Sequence, residues 1–210
     1  MEASERDHWD SVWRTKSPSE VSWYQSSPEP CLGLVRRVTA PDEQCRVVTV
    51  GAGASPLVAA LAHLGHQVIA VDIAPAALDA LVAGIPEGID LIRAGRLTLV
   101  VADVRSLRLA EPVDVWHDRA VFHFLVDTDD RAAYVRAAAA AVRVGGHLVI
   151  ATFAPSGPES CSGLPVARHD ADSLRADFGE AFELVEAFEL DHVTPWSSSQ
   201  RFTHAVLRRG

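Results

Sequence analysis

Short apolar runs alternate along most of this chain with stretches whose apolar residues recur at helical spacing. The runs Arg46–Val50, Gln67–Val71, Leu97–Val101, Val113–Trp116 and His147–Phe153 read as strands. Between them, Pro56–Leu64, Pro75–Val82 and Thr128–Val142 read as helices. The last is rich in Ala and carries Asp129 and Asp130 near its positive end. Gly84–Gly88 interrupts the second helix, Ile89–Ala94 resumes one, and Gly145-Gly146 marks the expected stop of the long Ala-rich helix. Upstream, Glu29–Val38 has helical spacing, with Pro30 tolerated in its first turn. Downstream, a loop rich in Pro and Gly leads to a short helix, Asp170–Phe178, and then to two longer strands, Phe182–His192 and Arg201–Leu207.

Strand–helix alternation predicts an α/β fold, a doubly wound sheet with helices on both faces. The two closing strands are separated by too few residues for a crossover, so they pair antiparallel. The expectation is a seven-stranded, mostly parallel sheet with an antiparallel C-terminal strand. Residues 1–210 are read as one domain, 29–210 forming the core and 1–28 an N-terminal arm or lid. The arm holds Trp9, Trp13, Trp23 and Tyr24 in a polar segment punctuated by Pro, which suits a flap docked on the core.

Composition narrows the partners. The formal charge is −9, from 19 cationic and 28 acidic side chains, and no basic cluster breaks it. Nucleic acid and an anionic membrane surface are therefore not expected as partners. No stretch reaches the ~18 apolar residues of a membrane span, and the charged start of the chain is not a signal peptide. Cys31, Cys45 and Cys161 are odd in number and far apart. They form neither a disulfide framework nor a zinc pattern, and a cytoplasmic location with reduced thiols is expected. His63 and His66 have helical spacing but no acidic or Cys companion, so no metal is expected.

The chemistry concentrates where the first strand meets Gly51-Ala52-Gly53-Ala54-Ser55. A helix follows, then a second strand ending in Asp72, 21 residues after Gly51. Such a unit holds a nucleoside, its glycines letting the backbone approach and its acid accepting the ribose hydroxyls. In a dinucleotide site position 56 would be Gly or Ala; here it is Pro56, which removes an N–H that a diphosphate would use. A nucleoside without phosphates is expected, and S-adenosylmethionine (SAM) is such a ligand. Asp103, just past the third strand, can accept from the adenine amino group. The competing assignment for Asp72 and Asp103 is helix capping.

These segments resemble the class I SAM-dependent methyltransferases, from about Arg46 to Leu207. The resemblance implies a Rossmann-like methyltransferase fold and SAM as cofactor, with S-adenosylhomocysteine as product. It also implies cofactor contacts from Trp13, Gly51, Gly53, Asp72, Ile73, Asp103, Val104 and His117. One departure is Thr49, where that family usually carries an acid two residues before the first glycine. More narrowly, Trp9-Asp10-Ser11-Val12-Trp13, Trp23-Tyr24-Gln25 and His117-Asp118-Arg119-Ala120-Val121 are similar to the thiopurine S-methyltransferase and halide/thiol methyltransferase group.

Trp23, Tyr24 and Gln25 are candidate substrate contacts. Asp118, Arg119 and His123 are candidate catalytic residues, since the end of the fourth strand is where an acceptor would be positioned or deprotonated. Their structural alternatives are an Asp118–Arg119 pair and a core-edge His123. The expected activity is methyl transfer by in-line displacement to a small soluble nucleophile, with a thiol or other chalcogen favoured. The alternatives are a protein-lysine N-methyltransferase and a non-catalytic SAM-binding or scaffolding protein. The acceptor's identity and the oligomeric state are not legible. The segment Gly157–Leu164 is distinctive, but no chemistry attaches to it.

Overall fold

In a computed structural model, which describes residues 2–40 and 43–210, the seven long strands form one sheet. Met1, part of the expected arm, lies outside the described residues. The strands are β1 (Arg46–Val50), β2 (Gln67–Asp72), β3 (Leu97–Val101), β4 (Val113–Arg119), β5 (Val142–Phe153), β8 (Phe182–Val193) and β9 (Ser199–Arg209); β6 (Ser160–Cys161) and β7 (Leu164–Pro165) make a separate small hairpin. The order across the large sheet is β3-β2-β1-β4-β5-β9-β8. Strands β1 to β5 are parallel, and β9 runs antiparallel to both β5 and β8. This is the sheet the sequence predicts. The order reverses between β1 and β4, and such a switch point opens a crevice at the carboxyl ends of the strands.

Central parallel strands are covered on both faces and therefore read as unbroken apolar runs. Val47, Val48 and Val50 of β1 are buried on alternating sides. One face packs on α2 (Cys31–Val38), α3 (Pro56–His63) and α4 (Pro75–Ala83), through Leu34, Val35, Leu57, Leu61 and Leu78. The other packs on α6 (Thr128–Ala141) and α7 (Ala171–Phe178), through Tyr134, Ala138, Leu174 and Phe178. Each fully buried Val or Leu contributes roughly 1.5–3 kcal/mol, so these two layers outweigh any single cap or ion pair. A short helix, α5 (Gly88–Arg93), links α4 to β3.

Local chemistry sets the boundaries. Ser55 accepts from the Leu57 N–H and Pro56 takes the first position of α3. Gly145 and Gly146 do not end the Ala-rich helix as expected. That helix stops at Ala141 because Val142 is already extended, and the glycine pair lies inside β5. Gly145 has φ +76°, and a Cβ on Gly146 would lie 2.8 Å from the Asp114 carbonyl. The glycines thus fit a register shift opposite Val113 and Val115. Pro30 caps α2 from outside rather than entering its first turn. The distinctive 157–164 segment supplies β6 and β7, turned by Ser162 and Gly163, both at positive φ.

The arm contributes α1 (Glu2–Thr15), a helix the sequence reading left unassigned, which packs against α4. Asp10 Oδ1 accepts from the Ala76 N–H at 3.0 Å. It thereby caps α4, whose own cap position is Ala74 and offers no side-chain acceptor. Among the described residues no helix is long and apolar enough to cross a membrane, and no cluster of three His, Cys, Asp or Glu could hold a metal.

Candidate functional site

A cavity of about 270 Å³ opens over the carboxyl ends of β1 to β4. Its walls include Asp72, Ile73, Asp103 and Val104 on one side, and Arg119, Phe124, Cys161, Leu164 and Pro165 on the other. Trp9, Trp13 and Trp23 of the arm line it as well. A narrower recess of about 50 Å³ adjoins it along the glycine turn, lined by Thr49, Gly51–Pro56, His117, Tyr24 and Gln25. Trp13, Trp23, Gly51 and Arg119 border both spaces.

The glycine turn needs its glycines. Gly51 has φ +56°, and a Cβ there would lie 2.1 Å from Val121 Cγ2. Gly53 has φ +44°, and its Cβ would lie 2.6 Å from Trp13 Cζ2. Side chains at either position would therefore collide with the β4 loop or with the arm. Asp72 ends β2 almost fully buried. Its Oδ2 accepts from the Gly53 N–H and its Oδ1 from the Ala74 N–H, each at 3.0 Å. Burial lifts its pKa to about 6, against the Ala74, Gly53 and Ile73 amides that favour the charge. Each oxygen keeps lone-pair capacity for a ribose hydroxyl.

Asp103 is engaged differently from the sequence expectation. Its carboxylate caps its own turn, accepting from the Arg105 N–H at 2.8 Å, and the Arg105 Nε lies 3.0 and 2.9 Å from its two oxygens. Burial works to raise the Asp103 pKa, but the Arg105 hydrogen bonds win and hold it below the usual carboxylate range. Arg105 also reaches Asp130 of α6 at 2.9 Å and Glu5 of α1 at 2.8 Å. An adenine amino group would have to share Asp103 with this guanidinium. Sequence reading missed Arg105, because its partners are drawn from three separate elements.

The β4 residues divide by face. Arg119 points into the cavity; its Nη1 donates to the Trp23 carbonyl at 2.9 Å, and its guanidinium lies 5.0 Å from the Phe202 ring centre. Burial lowers its pKa to about 10, so it stays cationic at neutral pH. Asp118 points to the opposite face and lines neither space. It accepts from the Val121 and Phe122 N–H groups and, at 2.6 Å, from the Tyr134 hydroxyl, which itself accepts from Trp116 Nε1. Its three donors shape the loop that carries Val121 and Phe124 to the cavity wall. His123 also lies away from the cavity, stacked on Phe153 at 4.4 Å. Burial drops its pKa to about 3. The expected catalytic set of Asp118, Arg119 and His123 is therefore not brought together: successive strand residues face opposite ways, and the 122–124 turn folds the imidazole into the core. Tyr24 and Gln25 reach the recess and Trp23 reaches both spaces, so only Trp23 of that trio borders the wider cavity.

His117 and Thr49 are register partners on β4 and β1. Both are buried, at 2% and 1% exposure, and Thr49 Oγ1 and both His117 ring nitrogens lack a hydrogen-bond partner among the described residues. Buried polar atoms normally find a partner in protein, water or a ligand, and these three, unlike the bare ring nitrogens of His123 in the core, belong to residues that line the recess. The glycine turn, the buried carboxylate of Asp72 and these orphan atoms fit a phosphate-free nucleoside with a polar tail, as SAM is.

A profile of the thiopurine S-methyltransferase family matches residues 4–207. No curated protein matches the chain. Among solved structures, one from work on the conversion of a disulfide bond into a thioacetal group during echinomycin biosynthesis superposes with a TM-score of 0.75 at 23% identity, covering 97% of this chain and 92% of that one. The CcbJ methyltransferase from Streptomyces caelestis gives a TM-score of 0.71 at 17% identity over 100% and 99% of the two chains. The 1,6-didemethyltoxoflavin-N1-methyltransferase of Burkholderia thailandensis, solved with S-adenosylhomocysteine, gives 0.69 at 18% over 99% and 84%. At these identities the structures establish the common fold.

Proposed function

The chain belongs to the thiopurine S-methyltransferase family and is a SAM-dependent methyltransferase, and from that premise we propose that its acceptor is a small soluble molecule presenting a thiol or another chalcogen. The observation that carries this reading is the acceptor side of the cavity. It offers a half-buried cation, Arg119, and aromatic walls from Trp9, Trp23 and Phe124, whose rings meet edge to face at 4.9 Å (Trp9–Phe124) and 5.8 Å (Trp9–Trp23). Every carboxylate on the cavity wall is already engaged: Asp72 by two amides, Asp103 and Glu5 by Arg105. With Asp72 given to the ribose and the other two facing a guanidinium, no carboxylate of the wall among the described residues is left over to take a proton from an ammonium or an alcohol. A thiol, with a pKa near 8.5, needs no such base, and a guanidinium beside it favours the thiolate further.

SAM, when bound, supplies a methyl group on a sulfonium, which an in-line nucleophile takes as the old C–S bond breaks. Asp72 would hold the ribose and the 51–55 turn would let the backbone approach. Arg119 would keep the acceptor anionic and aimed. The aromatic arm would exclude water, which would otherwise solvate the nucleophile and slow its attack.

The test is a methyl-donor assay against thiols, selenols, halides, amines and a protein lysate. Turnover is expected on thiols and selenols, with kcat/KM rising with pH until the thiol is ionised. Robust methylation of the lysate with none on the thiol panel would replace this reading with a protein-lysine methyltransferase.

A further inference from the structure

We propose that Thr49 and His117 together grip the amino-acid end of SAM as a pair of neutral side chains, a task for which a single carboxylate would otherwise serve. The inference rests on SAM as the cofactor, and it concerns the recess beside the glycine turn.

Three observations converge there. First, the two residues stand opposite each other on adjacent parallel strands, so both project from the same face of the sheet. Second, they carry three buried polar atoms with no partner among the described residues: Thr49 Oγ1, His117 Nδ1 and His117 Nε2. Third, the recess they line holds about 50 Å³. That suits a few heavy atoms and excludes a nucleoside or an aromatic acceptor.

The chemistry of the orphan atoms describes their ligand. Burial drops the His117 pKa to about 3, so the ring is neutral and carries one N–H and one lone pair. The Thr49 hydroxyl adds one donor and two acceptor sites. A group that satisfies all three atoms must both donate and accept within a small space. The ammonium and carboxylate of an α-amino acid do so: N–H groups to the imidazole lone pair and the hydroxyl oxygen, and a carboxylate oxygen to the imidazole N–H.

Arg119 supplies the reason for a neutral pair. It borders the recess as well as the wider cavity. An acidic residue at position 49 would stand on the same sheet face as this cation and would draw it into an ion pair. The neutral pair leaves the guanidinium for an anionic acceptor.

The experiment compares two ligands by titration calorimetry. S-Adenosylhomocysteine carries the amino-acid tail, and 5′-methylthioadenosine has the same thioether nucleoside without it. Thr49→Val, close in shape to the native residue, and His117→Leu should each weaken S-adenosylhomocysteine at least tenfold, or about 1.4 kcal/mol. Both should leave 5′-methylthioadenosine within twofold of the wild type. Unchanged affinity for both ligands in both variants would overturn the proposal and leave water as the occupant of the recess. Equal loss of both ligands would overturn it as well, since the residues would then only shape the turn. If His117→Leu does not fold by circular dichroism, Thr49→Val decides alone. Failure of the wild-type protein to bind S-adenosylhomocysteine would overturn the cofactor assignment instead, a result distinguishable from the other two.

Discussion

At Asp72, burial and three backbone amides oppose each other, and burial wins by enough to bring the carboxyl to about 6. Ribose hydroxyls donate hydrogen bonds, so they bind the ionised form. Cofactor affinity therefore rises with pH and levels off above 6, and at pH 5 it should be about tenfold weaker than at pH 7.5. Titration calorimetry with S-adenosylhomocysteine across that range checks the slope. Asp72→Asn should bind weakly throughout, with the slope gone; a slope that survives in this variant would assign the titration to another group. The residues most legible in the sequence, Gly51, Gly53 and Asp72, lie within one strand–turn–helix–strand unit, where spacing alone dictates position. Asp118 and His123 were equally conspicuous as letters. Their roles depended on which way one strand residue faced and on how a single tight turn placed a ring, and neither is written in spacing.

Among the elements, the arm gained most from the tertiary structure. Aromatic composition marked residues 1–28 as a flap, but its helix and its anchors were not readable. Asp10 caps a helix 66 residues away, and Arg105 ties the arm to the end of β3 and to α6. Exposed ion pairs are individually worth little, whereas Arg105 is only 12% exposed and serves three carboxylates at once. Arg105→Ala should leave those acids to repel one another and loosen α1. Hydrogen exchange followed by mass spectrometry should show α1 amides exchanging roughly tenfold faster. Arg93→Ala, which removes only the exposed pair with Asp90, should leave them unchanged. Equal exchange in the two variants would mean that the aromatic contacts, Trp9 on Phe124 above all, hold the arm without help.

At the scale of the whole molecule, buried titratable groups set how stability varies with acidity. His117 and His123 sit near pKa 3 and His204 near 4, all lowered chiefly by burial. Unfolding frees these rings to take up protons below their ordinary pKa of about 6.5, so they stabilise the fold above that pH and the contribution is lost as pH falls. Asp72 and Asp118 run the other way. Burial raises them to about 6 and about 7, so their contribution is present at low pH and is lost as pH rises through those values. Between about pH 4 and 6 these three imidazoles oppose these two carboxyls, a net loss on acidification of about one proton, or roughly 1.4 kcal/mol per pH unit, and His66, His147 and His192, also lowered by burial, add to it in the same direction. The ligand-free melting temperature should peak near pH 6–7 and fall toward pH 4.5. His123→Leu, outside the cavity, should flatten that fall. Thermal melts in a pH series read both, and an unaltered slope in the variant would remove His123 from the balance.

The sequence by itself determined the strand order of appearance, the antiparallel close of the sheet, the glycine turn and the acid that ends β2. Each of these follows from residues near one another in the chain, where apolar period and backbone sterics leave few choices. Only the tertiary structure decided which side chains meet across the cavity. Arg119 reaches a carbonyl 96 positions away, and Arg105 an acid 100 positions away. Those contacts depend on how two packed layers and a docked arm come together, and no local pattern in the chain encodes such distances. The same packing turned Thr49, an apparent departure from pattern, into one half of a buried polar pair facing His117.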